Sequence, residues 1–142
     1  MKPIFEKYGN FIAGTFVVLL GLYFLYSKGI IFANFENVTP REAYAMVRSD
    51  RNLTILDVRT RGEYLQDGHL ADALLIPVQD LKERLSELEP YRSKRILVYC
   101  RSGHRSVEAS RILANAGFHP LNLEGGIGNW KRHGFPVERE IP

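Results

Sequence analysis

The chain has one cysteine in 142 residues, which excludes an internal disulfide and leaves the fold without a covalent staple. One thiol cannot build a thiolate zinc site, and His69, His104, His119 and His133 lack ligand spacing, so no metal and no cofactor is expected. No phosphate loop is present, and Gly125-Gly126-Ile127-Gly128 lacks the strand-first context of a dinucleotide fingerprint. There is no internal repeat and no low-complexity tract. An excess of one charge is also missing from most of the chain. From Glu36 onward, 16 Lys and Arg stand against 15 Asp and Glu, with no basic stripe interleaved with aromatics. Nucleic acid is therefore not an expected partner.

The remaining composition, 45% hydrophobic and 25% charged, is that of a globular protein. The length suits one modest domain with an appendage. That appendage is the N-terminal region 1–33. Phe11 to Tyr26 is an unbroken apolar run without charge, and only Ser27-Lys28 separates it from Gly29-Ile30-Ile31-Phe32-Ala33. A transmembrane helix over about 10–28, extended past Lys28, would approach the ~30 Å of a bilayer's hydrocarbon. Tyr8, Tyr23 and Tyr26 sit near its ends, where interfacial aromatics belong. A cleaved signal peptide shares the basic start, but the run is long for one and no A-x-A site follows. Lys2 and Lys7 on one flank, against Lys28 and then Arg41 on the other, favour an N-terminus inside. The reading is a single-pass membrane protein with its domain on the non-cytoplasmic side.

Asn34 to Val38 reads as a polar tether, the domain follows over 39–138, and 139–142 is a C-terminal tail. Thr39-Pro40-Arg41-Glu42 announces a helix, with Thr39 as cap, Pro40 in the first position and Glu42 closing a capping box. Apolar strand runs follow at Leu53 to Leu56, Ala73 to Ile76, Arg95 to Tyr99 and Pro120 to Leu123. Helical spacing separates them, in Val78, Leu81, Leu85 and Leu88, and again in Ala109, Ile112, Leu113 and Ala116. Ile127 to His133 reads as a last short helix. Strands without alternation, divided by helices, predict an α/β domain with a central parallel sheet covered on both faces.

Cys100 stands where the strongest strand meets a helix starting near Arg105-Ser106. Ligands of open α/β sheets bind at such carboxyl ends. Gly103 permits a tight turn, and successive backbone N–H groups of such a turn can converge on one anion. A helix N-terminus, Arg101 and Arg105 add positive potential. The thiolate is the nucleophilic form of cysteine, and this setting suits it.

Several separated motifs accompany that loop: Asp57-Val58-Arg59, Glu63-Tyr64, Gly68-His69-Leu70, Ala73 to Pro77, Cys100 to Ser106, and Leu123-Glu124-Gly125-Gly126 followed by Trp130. In order and spacing they resemble the rhodanese-like domain family over roughly Glu36 to Val137. The resemblance implies a sulfurtransferase in which Cys100 accepts a sulfane sulfur, becomes a persulfide and passes the sulfur to a thiol, a protein acceptor or cyanide. Arg101, Ser102, Gly103, His104 and Arg105 would bind the donor, a small sulfur anion such as thiosulfate. Asp57 would bond the loop or its arginine, and Arg59 would support the site or pair with a carboxylate such as Glu63. His69 and Trp130 read as structural. Four residues lie between Cys100 and Arg105, whereas related phosphatases and arsenate reductases carry one more, so the cradle favours sulfur over phosphate. A persulfide carrier or docking module without turnover shares the same first step.

Overall fold

A computed structural model describes residues 3–139. Lys2 and residues 140–142 of the tail lie outside the described residues. The first helix, α1, spans Ile4–Ser27, and none of its residues is buried. Its 24 residues are apolar and long enough to cross a membrane, a character a signal sequence shares. The helix begins earlier than expected and does not continue past Lys28. Its extra length lies on the N-terminal side, through Glu6 and Lys7, because Gly29 turns the chain at a φ of 68°.

The domain then runs β1 (Glu36–Val38), α2 (Pro40–Ser49), β2 (Leu53–Asp57), α3 (Arg61–Gln66), β3 (Leu74–Leu75), β4 (Arg95–Tyr99), α4 (His104–Asn115), β5 (His119–Leu123) and α5 (Gly126–Arg132). The strands form one sheet in the order β1-β5-β4-β2-β3, with every pairing parallel. The expected α/β architecture is present: a central parallel sheet flanked by helices.

Three local expectations are corrected. Residues 36–38 are not tether but edge strand, with Val38 buried and paired to Leu123. The polar side chains that suggested a tether are used as links. Asn37 accepts from Asn122 at 2.9 Å and donates to the Gly29 carbonyl at 3.0 Å. Residues 78–91 form two 3-10 turns, Val78–Asp80 and Leu85–Tyr91, with Leu81 between them, rather than a longer helix. Pro90 lies inside the second turn and has no N–H to offer an α-helix. The strand expected over 73–76 shortens to Leu74–Leu75, between the left-handed Asp72 (φ 60°) and Pro77.

The sheet has a core on each face. Leu97 and Tyr99 point to the side covered by Ala43 of α2 and by Ile127 and Trp130 of α5. Ile96 and Val98 point to the other side, against Ala109 and Leu113 of α4. The two-residue period of a strand then carries Cys100 onto the α4 face. Trp130 anchors the opposite layer, its Nε1 donating to the Pro136 carbonyl and its ring edge-on to Tyr44.

The junction between α1 and the domain is clamped. Arg111 of α4 donates to the carbonyls of Tyr26 and Phe32 at 2.7 and 2.6 Å, and its guanidinium lies 3.8 Å from the centre of the Tyr26 ring. The Tyr26 carbonyl also accepts the Gly29 amide, and the Phe32 contact ties the segment after the helix to α4.

Because β1 is part of the sheet, Val38→Ala should lower stability by about 1–3 kcal/mol. Urea unfolding in detergent measures it; an unchanged midpoint would mean that the segment behaves as a tether.

Candidate active site

Cys100 is 1% exposed and lies where β4 ends. The residue opposite Tyr99 on the neighbouring strand is Asp57, so the ends of β2 and β4 meet at the same sheet edge. From Cys100 the chain closes a short loop and enters α4 at His104, one residue earlier than the sequence suggested. Gly103 has a φ of 101°, and its N–H donates to Cys100 Sγ at 3.1 Å. The Ser106 hydroxyl lies 3.5 Å from the same sulfur. The loop rim is formed by the exposed side chains of Arg101, Ser102 and His104, while Gly103 and Ser106 are buried.

The first turn of α5 holds this loop from behind. The amides of Ile127 and Gly128 donate to the carbonyls of Cys100 and Arg101 at 2.9 and 3.0 Å. Trans peptide geometry sets each N–H opposite its carbonyl, so the amides of Arg101 and Ser102 face away from α5. Gly126 makes the approach possible. Its φ is 62°, and a Cβ there would fall on the Cys100 and Arg101 backbone. Gly126, and Gly128 whose Cβ would lie 3.2 Å from the Arg101 carbonyl, therefore serve packing against the loop.

The acidic residues divide between two arginines in a way the sequence did not show. Asp57 does not bond the loop. Its carboxylate accepts from Arg59 Nε and Nη2, the latter at 2.7 Å, and from the Arg59 backbone amide at 2.9 Å. Arg59 also donates to the Gly68 carbonyl at 2.7 Å. Both side chains are buried, so this pair is a structural strut beneath the site. Burial pulls the Arg59 guanidinium down, but Asp57 outweighs it and the net direction is up. Tyr99, beside the pair, is pushed well above its usual range by burial and then by the Asp57 charge.

Glu63 is the partner of Arg105, not of Arg59. The two join through parallel bonds of 2.8 Å, which pins the residue that closes the loop. Glu63 is placed by its own capping box, with Thr60 donating from backbone and hydroxyl at 3.0 Å. The signal for it was Thr60-x-x-Glu63, the same pattern read at Thr39. The Arg105 hydrogen bonds, aided by Thr60 against some burial, hold the Glu63 carboxyl down at about 2. Ser106 was missed as a neighbour of the sulfur, although it lies next to Arg105 in the first turn of α4.

His69 is structural. It is buried, its Nδ1 faces the Leu70 carbonyl at 2.9 Å, and its ring stacks on Tyr64. The exposed His104 and the end of α1 share a cleft, lined also by Tyr23, Tyr26 and Ser27. Ser102 and Gly103 share a second cleft with Phe24, Lys28 and Ile30. The rim of the loop is thus a neighbour of the last turn of the apolar helix.

Glu63 titrates below its ordinary value of 4.5. Its contribution to stability is therefore complete above about pH 4.5 and is lost as pH falls toward 2. Glu63→Gln should destabilise by about 1–2 kcal/mol at about pH 7, since both partners keep some contact with water. The gap from the parent should close as pH falls through the 4.5-to-2 window. Urea unfolding across that range measures both effects, and a gap independent of pH would contradict the pairing.

Residues 39–133 match the Rhodanese-like domain family. A sulfurtransferase of Allochromatium vinosum is 40% identical over 87 residues, covering 61% of this chain and 78% of the relative. Thiosulfate sulfurtransferase PspE of Escherichia coli is 33% identical over 72 residues, covering 51% of this chain and 68% of PspE. Among solved structures, a rhodanese-related protein of Thermoplasma volcanium superposes with a TM-score of 0.68 at 32% identity, covering 75% of this chain and 100% of that one. With the parallel sheet and the cysteine loop at its carboxyl edge, these matches establish that the chain belongs to the rhodanese-like domain family.

Proposed function

We propose that this protein is a sulfurtransferase held at a membrane by α1. It takes a sulfane sulfur from thiosulfate or a persulfide donor onto Cys100 and passes it to a thiol or to cyanide. The observation that carries the reading is the Cys100 loop. Its sulfur already accepts an amide at 3.1 Å, and the loop's carbonyls are tied back to α5. Kinship with sulfurtransferases supports it.

In the first step the Cys100 thiolate attacks the outer sulfur of thiosulfate. The new bond is S–S at Cys100, the old S–S bond breaks, and sulfite leaves with the electron pair. The persulfide then extends into the loop, where the amides of Arg101, Ser102 and Gly103 are its donors. In the second step the acceptor attacks that outer sulfur and Cys100 leaves as thiolate. The cycle is a double displacement and is ping-pong in kinetics.

The loop residues divide the work. Gly103 and its neighbours stabilise anionic sulfur through backbone donors, which add no competing base. Arg101 is exposed on the rim and meets the donor's charge. Arg105 is already bound to Glu63 and acts as a positioning residue. Four residues between Cys100 and Arg105 leave a small cradle, which disfavours a phosphatase or arsenate reductase reading. The clamp between Arg111 and the end of α1 supports action close to the membrane surface.

Incubation of the full chain in detergent with thiosulfate should add one sulfur atom to its intact mass. Dithiothreitol should remove the adduct and Cys100→Ser should abolish it. Repeated turnover to thiocyanate with cyanide marks an enzyme, and loading without turnover marks a carrier. The absence of an adduct from every sulfane donor would refute the reading.

A further inference from the structure

The link between α1 and the domain is built rather than loose. Gly29 turns the chain against the domain, where a Cβ would lie 2.7 Å from the Phe35 ring and 3.2 Å from Val107 of α4. The Gly29 carbonyl accepts from Asn37 of β1, which is joined in turn to Asn122 of β5. Asn34 donates to Asn115, the last residue of α4, at 2.7 Å. Arg111 holds the carbonyls of Tyr26 and Phe32. Bonds to two strands and to two turns of α4 fix the orientation of the domain on the end of α1.

That orientation is written along α4. Tyr23 shares a cleft with His104, in the first turn of α4, and Phe24 shares one with Ser102 and Gly103 of the active loop. Farther along α1, the Tyr26 ring lies against the Arg111 guanidinium, and Tyr26 shares a third cleft with Asn115. From His104 to Arg111 the axis of α4 rises about 10 Å. The end of α1 therefore advances in the same sense as α4, from the carboxyl edge of the sheet toward its amino edge. The body of α1, residues 4–22, lies beyond the edge that carries Cys100.

An α-helix of this length rises about 36 Å, against the ~30 Å of hydrocarbon, so the last turn of α1 stands at headgroup level. Tyr23 and Tyr26 are the amphipathic aromatics that suit this level. The surface of the domain agrees. Among the described residues outside α1, the exposed large apolar side chains are Ile30 and Phe32, 63% and 83% exposed, both on the segment that follows α1. Phe32 holds a φ of 53°, which a bulky residue rarely adopts, and still packs on nothing that buries it. Ile30 lines the same cleft as Phe24, Ser102 and Gly103.

We propose that the domain rests on the bilayer by the face that carries the active loop, with Ile30, Ser102 and His104 in the lipid headgroup layer. The inference rests on the reading of α1 as a membrane helix and fixes which side of the domain meets the lipid. Gly103 lines the cleft beside Phe24 and donates its N–H to the Cys100 sulfur, so the nucleophile sits at the level of the bilayer surface. Its sulfur donor and acceptor then meet it in the headgroup layer rather than in open solution.

The test reconstitutes the full chain, with Cys100→Ser, in phosphatidylcholine vesicles and labels one introduced thiol at a time with a bimane. Ser102→Cys places the label on the loop. Lys94→Cys places it before β4, about 16 Å away at the amino edge of the sheet. Val18→Cys places it within α1. Lipid carrying a headgroup nitroxide should quench the label at 102 and spare the one at 94. Lipid carrying the nitroxide deep in its acyl chain should quench the label at 18. Arg111→Gln, which frees the junction, should remove about half of the quenching at 102 and leave that at 18 unchanged. Equal quenching at 102 and 94, or none at 102 while 18 is quenched, would overturn the inference. A label at 18 that no lipid quencher reaches would instead overturn the membrane reading of α1, and the inference with it.

Discussion

The site depends on two backbone hydrogen bonds, from the amides of Ile127 and Gly128 to the carbonyls of Cys100 and Arg101. A short loop offers its N–H groups to a sulfur only if its carbonyls are held elsewhere. Here α5 holds them, and Gly126 lets α5 come close enough to do so. Gly103 completes the turn in a left-handed conformation and delivers its N–H to the sulfur. The motif around Leu123 to Gly126, distant in sequence from the cysteine, is therefore part of the loop's construction.

Two ion pairs then hold the loop's surroundings, and they differ in kind. Asp57 and Arg59 are buried, mutually satisfied and joined to the Gly68 carbonyl. They fix the end of β2 against the segment that follows α3. Glu63 and Arg105 are partly exposed and couple the first turn of α3 to the first turn of α4. Loss of the first pair leaves a buried charge; loss of the second frees one end of the loop. A third arginine, Arg111, binds the end of α1 to the far side of α4. The apolar helix is thus joined to the same helix that begins at the active loop.

Much of the fold was legible because parallel strands buried on both faces write themselves as apolar runs. Arg95–Tyr99 was read to the residue, and Leu53–Asp57 one residue short at its end. The nucleophile was legible because strand, cysteine, glycine and arginines occur together. The failures share a cause: side chains whose partners are distant in sequence. Asn37 was read as polar tether because Asn122 and Gly29, which bind it, are not its neighbours in the chain. The partners of Arg59 and Arg105 were misassigned because either arginine could reach a carboxylate, and only the fold decides which. The capping box at Thr60 and Glu63 could have placed Glu63 on the first turn of a helix, one step short of finding Arg105. The 3-10 turns were hidden because leucines at helical spacing fill a core from either kind of turn.

The central claim is that the loop amides, fixed by α5, hold the transferred sulfur. A crystal structure of the protein after exposure to thiosulfate tests it most directly. The account predicts a second sulfur on Cys100, within about 3.5 Å of at least two loop amides among those of Arg101 to Gly103. A second sulfur directed away from those amides, or an intact oxyanion in the loop with Cys100 unmodified, would contradict it.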